Sequence, residues 1–323
     1  MVTRRPIVLL AALALIWGSS FMFIKVAVRQ LDPSTLILGR LGLAAVTLAV
    51  VVPFLARSPW RDVRTHWRWL LVVGLLNTAV PFWLLSWGET RIDSGLASII
   101  QASVPIFNAL IAFGFFHSER VTGGRLAGVA VGFVGVALLV GAQPHAKVLG
   151  ALAVVGMALC YAGGGLLTRR HLSAAPPYVV ALGTSAFAAL AVLPAGVLQA
   201  PHSVPGWKTI ASVAVLGTLC TAAAYLIFFT LIARAGAGYA ALVTYLVPPV
   251  ALAYGAVFLD ESVGWPAIVG LVLILGGVTL GTGVSRVRWA AWSSWRRGRS
   301  APAGSTSPVA SSQPATTQRT TGS

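Results

Sequence analysis

The sequence predicts an all-α membrane protein of ten transmembrane helices, built as two inverted five-helix repeats with both termini in the cytoplasm. Three observations predict it. First, the 323 residues are 57% hydrophobic and only 9% charged, with a mean hydropathy of +0.85, whereas a soluble domain carries about 25% charge. Second, the apolar residues gather into ten runs close to the ~20 residues needed to cross a bilayer core. Third, the chain repeats itself. VPIFNALIAFGFFHSER at 104–120 returns as VPPVALAYGAVFLDES at 247–262. Gly95 pairs with Gly238 and Pro105 with Pro248 at an offset of 143, and Glu119 pairs with Glu261, Gly128 with Gly270 and Gly135 with Gly277 at 142. The first copy therefore carries one extra residue between its proline and its glutamate.

The runs are apolar all round, which excludes the apolar–polar alternation of a transmembrane barrel. Backbone polar groups in lipid must be satisfied within the segment, so each run is a helix. In order, the spans are predicted at 7–28, 33–54, 67–88, 94–116 and 122–141, then 148–168, 177–197, 207–232, 238–259 and 265–284. The N-terminus has the basic start and apolar run of a signal peptide. Its apolar run continues to Val28 with no convincing cleavage site, which favours a retained first span. The two repeats are read as 1–142 and 147–284, followed by a tail at 285–323. That tail opens with Arg286, Arg288, Arg296, Arg297 and Arg299 interleaved with Trp289, Trp292 and Trp295, a composition suited to an anionic membrane interface. It then turns to Ser, Thr, Pro, Ala and Gly, which cannot bury a core and predicts disorder.

Charge sets the orientation. With the N-terminus inside, seventeen Lys and Arg fall on the cytoplasmic side and four (Arg29, Arg91, Lys147 and Lys208) outside; Lys25 and Arg40 lie within apolar runs. That bias accounts for a net charge of +16 through positive-inside topology, without a nucleic-acid partner. Five helices per repeat, an odd number, insert the second repeat upside down. Further pairs agree: Gly74 with Gly217, Thr78 with Thr221, Phe82 with Tyr225, Trp17 with Tyr161 and Lys25 with Arg169. Inverted repeats are a hallmark of secondary transporters, because two copies facing opposite ways give one site two mutually exclusive exits.

The run IWGSSFMFIK at 16–25, the VP…ER hairpin of helices four and five, and its VPP…DES echo resemble the EamA family of the drug/metabolite transporter superfamily. The resemblance covers residues 7–284. It implies a ten-helix inner-membrane carrier that exports metabolites, amino acids or drugs.

Polar groups inside the spans are the site candidates, because burying them in lipid is costly. Lys25 and Arg40 are the intramembrane cations, each balanced against snorkelling to the outer interface. For Arg40, close to the outer end of its span, snorkelling is the favoured reading. Helix four carries Ser94, Ser98, Gln101, Pro105 and Asn108 at spacings of three and four, hence on one face; Gln101 and Asn108 are read as cavity lining, against interhelical hydrogen bonding. Trp17, Ser20 and Tyr161 in helices one and six, Asn77 and Tyr225 in helices three and eight, and Thr244 and Tyr245 in helix nine complete the candidate substrate site. Pro81, Pro105, Pro248 and Pro249 are expected to kink their helices and free backbone carbonyls near the midplane.

No Asp, Glu or His falls mid-span, and Glu89, Glu119 and Glu261 all fall at helix ends or in loops. Enzymatic chemistry would need such groups clustered, so the chain is read as a non-enzyme without metal or cofactor. Cys160 and Cys220 lie in apolar runs as small hydrophobes. The expected activity is secondary transport of a small organic solute, with a channel or membrane sensor as the alternative. The expected partners are that solute and the lipid bilayer, and the sequence is compatible with a monomer or a homodimer.

Overall fold

The structure, a computed structural model, describes residues 4–55, 58–115 and 123–282. Glu119, Arg120 and the Arg/Trp tail lie outside the described residues. Every regular element within them is helical. The first is α1 (Arg4–Ala27), followed by α2 (Pro33–Val51). Next, α3 (Pro59–Gly74) passes through a π-helical turn (Leu75–Ala79) into α4 (Val80–Glu89). Then come α5 (Ser94–Gln101), α6 (Val104–Phe115) and α7 (Gly123–Gly141). The second half runs α8 (His145–His171), α9 (Pro177–Leu198) and α10 (Trp207–Gly217). A second π-helical turn (Thr218–Ala223) leads into α11 (Ala224–Ala235), then α12 (Ala237–Ala240), α13 (Val243–Phe258) and α14 (Trp265–Thr282). Pro33, Pro59 and Pro177 open their helices, where a missing N–H costs nothing and φ is already helical.

Among the described residues, seven helical segments are long and apolar enough to cross a membrane: 5–27, 33–54, 59–89, 94–111, 147–171, 177–198 and 207–235. Further apolar stretches lie in α7 (126–141), α13 (243–258) and α14 (265–280). The outward faces are greasy: Val8, Val46, Val50, Leu190 and Val197 are each more than half exposed. Ser20, Ser86, Thr184, Ser185 and Thr221 are buried. Apolar groups outside and hydroxyls inside are what a hydrocarbon solvent selects. The core runs between the halves, through Leu13, Phe21 and Ile24 of α1, Leu36 and Ile37 of α2, Ile99 and Ile100 of α5 and Met157 of α8, all fully enclosed.

Close backbone approaches recur at the repeat offset. A Cβ at Gly74 would stand 2.9 Å from the carbonyl oxygen of Thr184, and one at Gly217 would stand 2.8 Å from that of Arg40. A Cβ at Gly39 would meet Val213 at 2.7 Å, and one at Gly183 would meet Leu70 at 2.6 Å. Each contact of one half has its counterpart in the other, with Arg40 matched to Thr184 and Leu70 to Val213. α7 and α14 meet along a glycine seam, where a Cβ at Gly277 would lie 2.6 Å from Gly132 Cα. Packing this close is the work of small residues in membranes.

The prolines behave unequally. The helix-four run breaks at Ala102–Ser103, just ahead of Pro105, which sits in the first turn of α6. Pro81 sits in the first turn of α4, directly after the π-helical turn. Pro248 and Pro249, expected to interrupt helix nine, lie inside unbroken α13; the interruption falls earlier, at Ala241–Leu242.

Candidate functional site

The two π-helical turns sit at matching places in the repeat and shape the interior. In the first, Pro81 has no N–H for the carbonyl of Asn77, so the α ladder cannot close there. In the second, Ala224 stands at the place of Pro81, and a side chain does the work instead. The Thr221 hydroxyl donates to the carbonyl of Leu216 at 2.8 Å, five residues back. Single π-turns of this kind concentrate at functional sites.

Thr221 also accepts a hydrogen bond from Arg40 Nε at 2.9 Å. Arg40 is only 4% exposed, so snorkelling, the favoured sequence reading, is corrected. The guanidinium lies over the ring of Phe82, 3.9 Å from its centroid. Its Nη1 is buried without a hydrogen-bond partner. Cys220, Tyr161, Tyr225 and Glu89 stand within electrostatic reach. Gly217 lets α10 press onto the Arg40 backbone, and the side chain reaches the bulge through Thr221.

Lys25 has partners of its own. Its Nζ donates to the carbonyls of Glu89 and Ile92, both at 2.7 Å, and so closes the C-terminal end of α4, where a cation is favoured. Glu89 is the last residue of α4, as its sequence position indicates, but its side chain is fully buried and neither carboxylate oxygen has a hydrogen-bond partner. Sequence reasoning missed this acid because a helix end reads as a membrane surface. Its carboxyl instead lies inside the protein, within electrostatic reach of Lys25.

The remaining candidates divide into two sets. Trp17 packs on Phe228 with ring centroids 5.4 Å apart, and Ser20 spends its hydroxyl on the Trp17 carbonyl at 2.6 Å. Asn77, in the first π-turn, abuts Gly164 of α8. Tyr225 lies tilted against Phe229, with ring centroids 6.2 Å apart. Of these, Tyr225 stands near Arg40, as does Tyr161. Gln101, Asn108, Thr244 and Tyr245 stand on α5, α6 and α13. Gln101 and Asn108 are half-buried on opposite sides of the Ala102–Ser103 break, so they do not share one continuous helix face. The Tyr245 hydroxyl is buried without a partner, while Thr244 bonds back to Ala241 at 2.8 Å. Ser98 of the helix-four stripe is likewise spent on its own helix, at the Gly95 carbonyl.

Ser94, at the head of that stripe, has another role. Glu261 accepts hydrogen bonds from Ser94 N at 2.9 Å, Ser94 Oγ at 2.8 Å and Gly95 N at 3.1 Å. A carboxylate thus caps the N-terminus of α5 from a distant loop, turned inward by Asp260 in the left-handed region at φ 56°. A cleft of about 180 Å³, lined by Asp93, Leu96, Gln143, Leu252 and Glu261, opens beside it. Among the described residues, no three His, Cys, Asp or Glu side chains converge as metal ligands.

Comparison with known proteins fits this arrangement. The model of the EamA-like transporter family matches twice, over residues 4–141 and 148–282. A probable terminal-alkyne amino-acid exporter of Streptantibioticus cattleyicolor is 33% identical over 275 residues, covering 82% of this chain and 89% of the relative. A probable amino-acid metabolite efflux pump of Escherichia coli is 26% identical over 300 residues, covering 89% and 97%. A solved crystal structure, 19% identical, superposes with a TM-score of 0.62 over 88% of this chain and 98% of that one, which speaks to the fold.

Proposed function

This chain belongs to the EamA-like transporter family, and from that premise we propose that it is a plasma-membrane exporter of a small amphipathic organic metabolite, an amino acid or a close derivative, working by alternating access. It is a multi-pass membrane transporter rather than an enzyme. The proposal adds ten spans in two inverted repeats, 1–142 and 147–284, with both termini and the 285–323 tail in the cytoplasm. To the seven long segments it adds α7, α12–α13 and α14 as the remaining three spans.

One observation carries the reading. Packing contacts recur at the repeat offset, with Gly74 on Thr184 mirrored by Gly217 on Arg40. Two halves that meet through equivalent contacts can exchange conformations and open one interior site to either side. The relatives with named substrates export amino acids or their metabolites, and the interior offered here, aromatic rings with hydroxyls and isolated charges, suits that chemistry. The proposed site is the set around Trp17, Ser20, Lys25, Asn77, Tyr161 and Tyr225, with Gln101, Asn108, Thr244 and Tyr245 on the facing elements.

Counterflow in proteoliposomes tests this. Vesicles preloaded with unlabelled amino acid should transiently concentrate the labelled form and saturate with its concentration. A flux that stays linear and shows no overshoot would mark a channel and end the carrier reading.

A further inference from the structure

We propose that Arg40 is the carboxylate-binding subsite of this carrier, so that the transported solute bears a carboxylate held by the guanidinium. The inference rests on the transport reading above and deepens it.

Arg40 is a permanent cation, because a guanidinium does not lose its proton in proteins. It is buried within a membrane-spanning helix. Of its five N–H donors, Nε is satisfied by Thr221, the π-face rests on Phe82, and Nη1 is enclosed without a partner. A buried charge is ordinarily paired. The neighbouring cation, Lys25, is served by two carbonyls at the end of α4 beside the buried Glu89, and Arg40 has no such arrangement. Arg40 thus keeps an enclosed N–H group, Nη1, that nothing in the described structure satisfies.

The fold itself does not ask for that charge. Thr184 occupies the matching position in the other half, its backbone meets Gly74 as the Arg40 backbone meets Gly217, and its hydroxyl simply bonds back to Val180. Equivalent packing is thus achieved without a cation, which leaves the guanidinium to be explained by something it binds. A guanidinium fork with Nη1 unpartnered matches a carboxylate, which offers it an acceptor and a counter-charge. Tyr161 and Tyr225 beside it offer aromatic surface to the organic body of that anion.

The test compares acids with their amides. Wild-type protein in proteoliposomes is assayed for counterflow of labelled alanine, leucine and phenylalanine, and for inhibition by each amino acid and by its carboxamide. The expected result is a preference for acid over amide of about tenfold or more, lost in Arg40→Gln and partly kept in Arg40→Lys. A purely structural role would lower transport of all solutes together and leave the acid-to-amide ratio unchanged. Should Arg40→Gln fail to fold, the wild-type ratio decides alone, since amides that compete as well as acids overturn the subsite. Equal ranking of acids and amides, or an unchanged ratio in a folded Arg40→Gln, leaves the carrier reading standing and removes the subsite. Absence of saturable counterflow with every acid and amide removes the carrier reading, and the subsite with it.

Discussion

Glu261 reaches the amide of Ser94 across 167 positions of sequence, at 2.9 Å, and so ties the loop before α14 to the head of α5. The carboxylate takes three donors, two of them backbone N–H groups that the first turn of a helix would otherwise leave open. Removing it should therefore loosen a junction rather than a surface. Glu261→Ala is expected to cost about 2 kcal/mol, seen as a drop of several degrees in the unfolding temperature of detergent-purified protein. Ser94→Ala, which removes one donor only, should cost less. Equal melting of Glu261→Ala and wild type would show the cap to be dispensable.

Lys25 is predicted to be structural at its tip and electrostatic toward its neighbour. Lys25→Met loses both carbonyl contacts and strands Glu89 in apolar surroundings, so it should destabilise by about 2–4 kcal/mol. Pairing it with Glu89→Gln should recover part of the loss, because the carboxyl that lost its neighbouring cation is gone. A double-mutant cycle on thermal stability measures this, and strict additivity would mean the two side chains do not communicate.

The glycine seam between α7 and α14 should tolerate no added methyl at its tightest point. Gly277→Ala places a Cβ against Gly132 and the Gly128 carbonyl, with an expected cost on the order of 2 kcal/mol or more. Gly163→Ala, where nothing lies within 4 Å, should be neutral or slightly stabilising. Parallel thermal melts compare them; matching behaviour would mean that α7 and α14 do not pack as described.

Orientation can be read by labelling. Ser203, between α9 and α10, and Ser173, between α8 and α9, are both exposed. With the termini inside, Ser203→Cys in a background of Cys160→Ala and Cys220→Ala should react with a membrane-impermeant maleimide in intact cells. Ser173→Cys should react only after permeabilisation. The reverse pattern would invert the proposed topology, and labelling of both from outside would remove the α9 span.

Much of the fold was legible because lipid imposes simple rules. Apolar runs located the helices, and the repeat paired Gly74 with Gly217 and Gly135 with Gly277, positions where backbones prove to come close. What the sequence concealed depends on rotation and depth. Arg40 reads as a snorkelling residue by position, and only its hydrogen bond to the Thr221 hydroxyl shows that it turns inward. Glu89 reads as peripheral because it ends a helix. The π-turns are invisible in LLNTA and TLCTAA, whose composition is ordinary. Pro248 and Pro249 misled in the opposite sense: α13 continues through them, and the break falls at Ala241–Leu242, where the sequence carries no proline.

Those π-turns make the chain sensitive to helical pitch. Each takes up one extra residue in an otherwise α-helical span, and one residue corresponds to about 100° of rotation about the helix axis. Straightening 75–79 into ordinary α-helix with every residue kept would swing everything downstream by roughly a quarter turn, carrying Phe82 off Arg40 and the Glu89 carbonyl away from Lys25. Pro81, which has no N–H for the Asn77 carbonyl, opposes that change. The interior chemistry of this protein is thus written partly in the pitch of its helices, and straightening one turn would erase it without changing any of the residues that perform it.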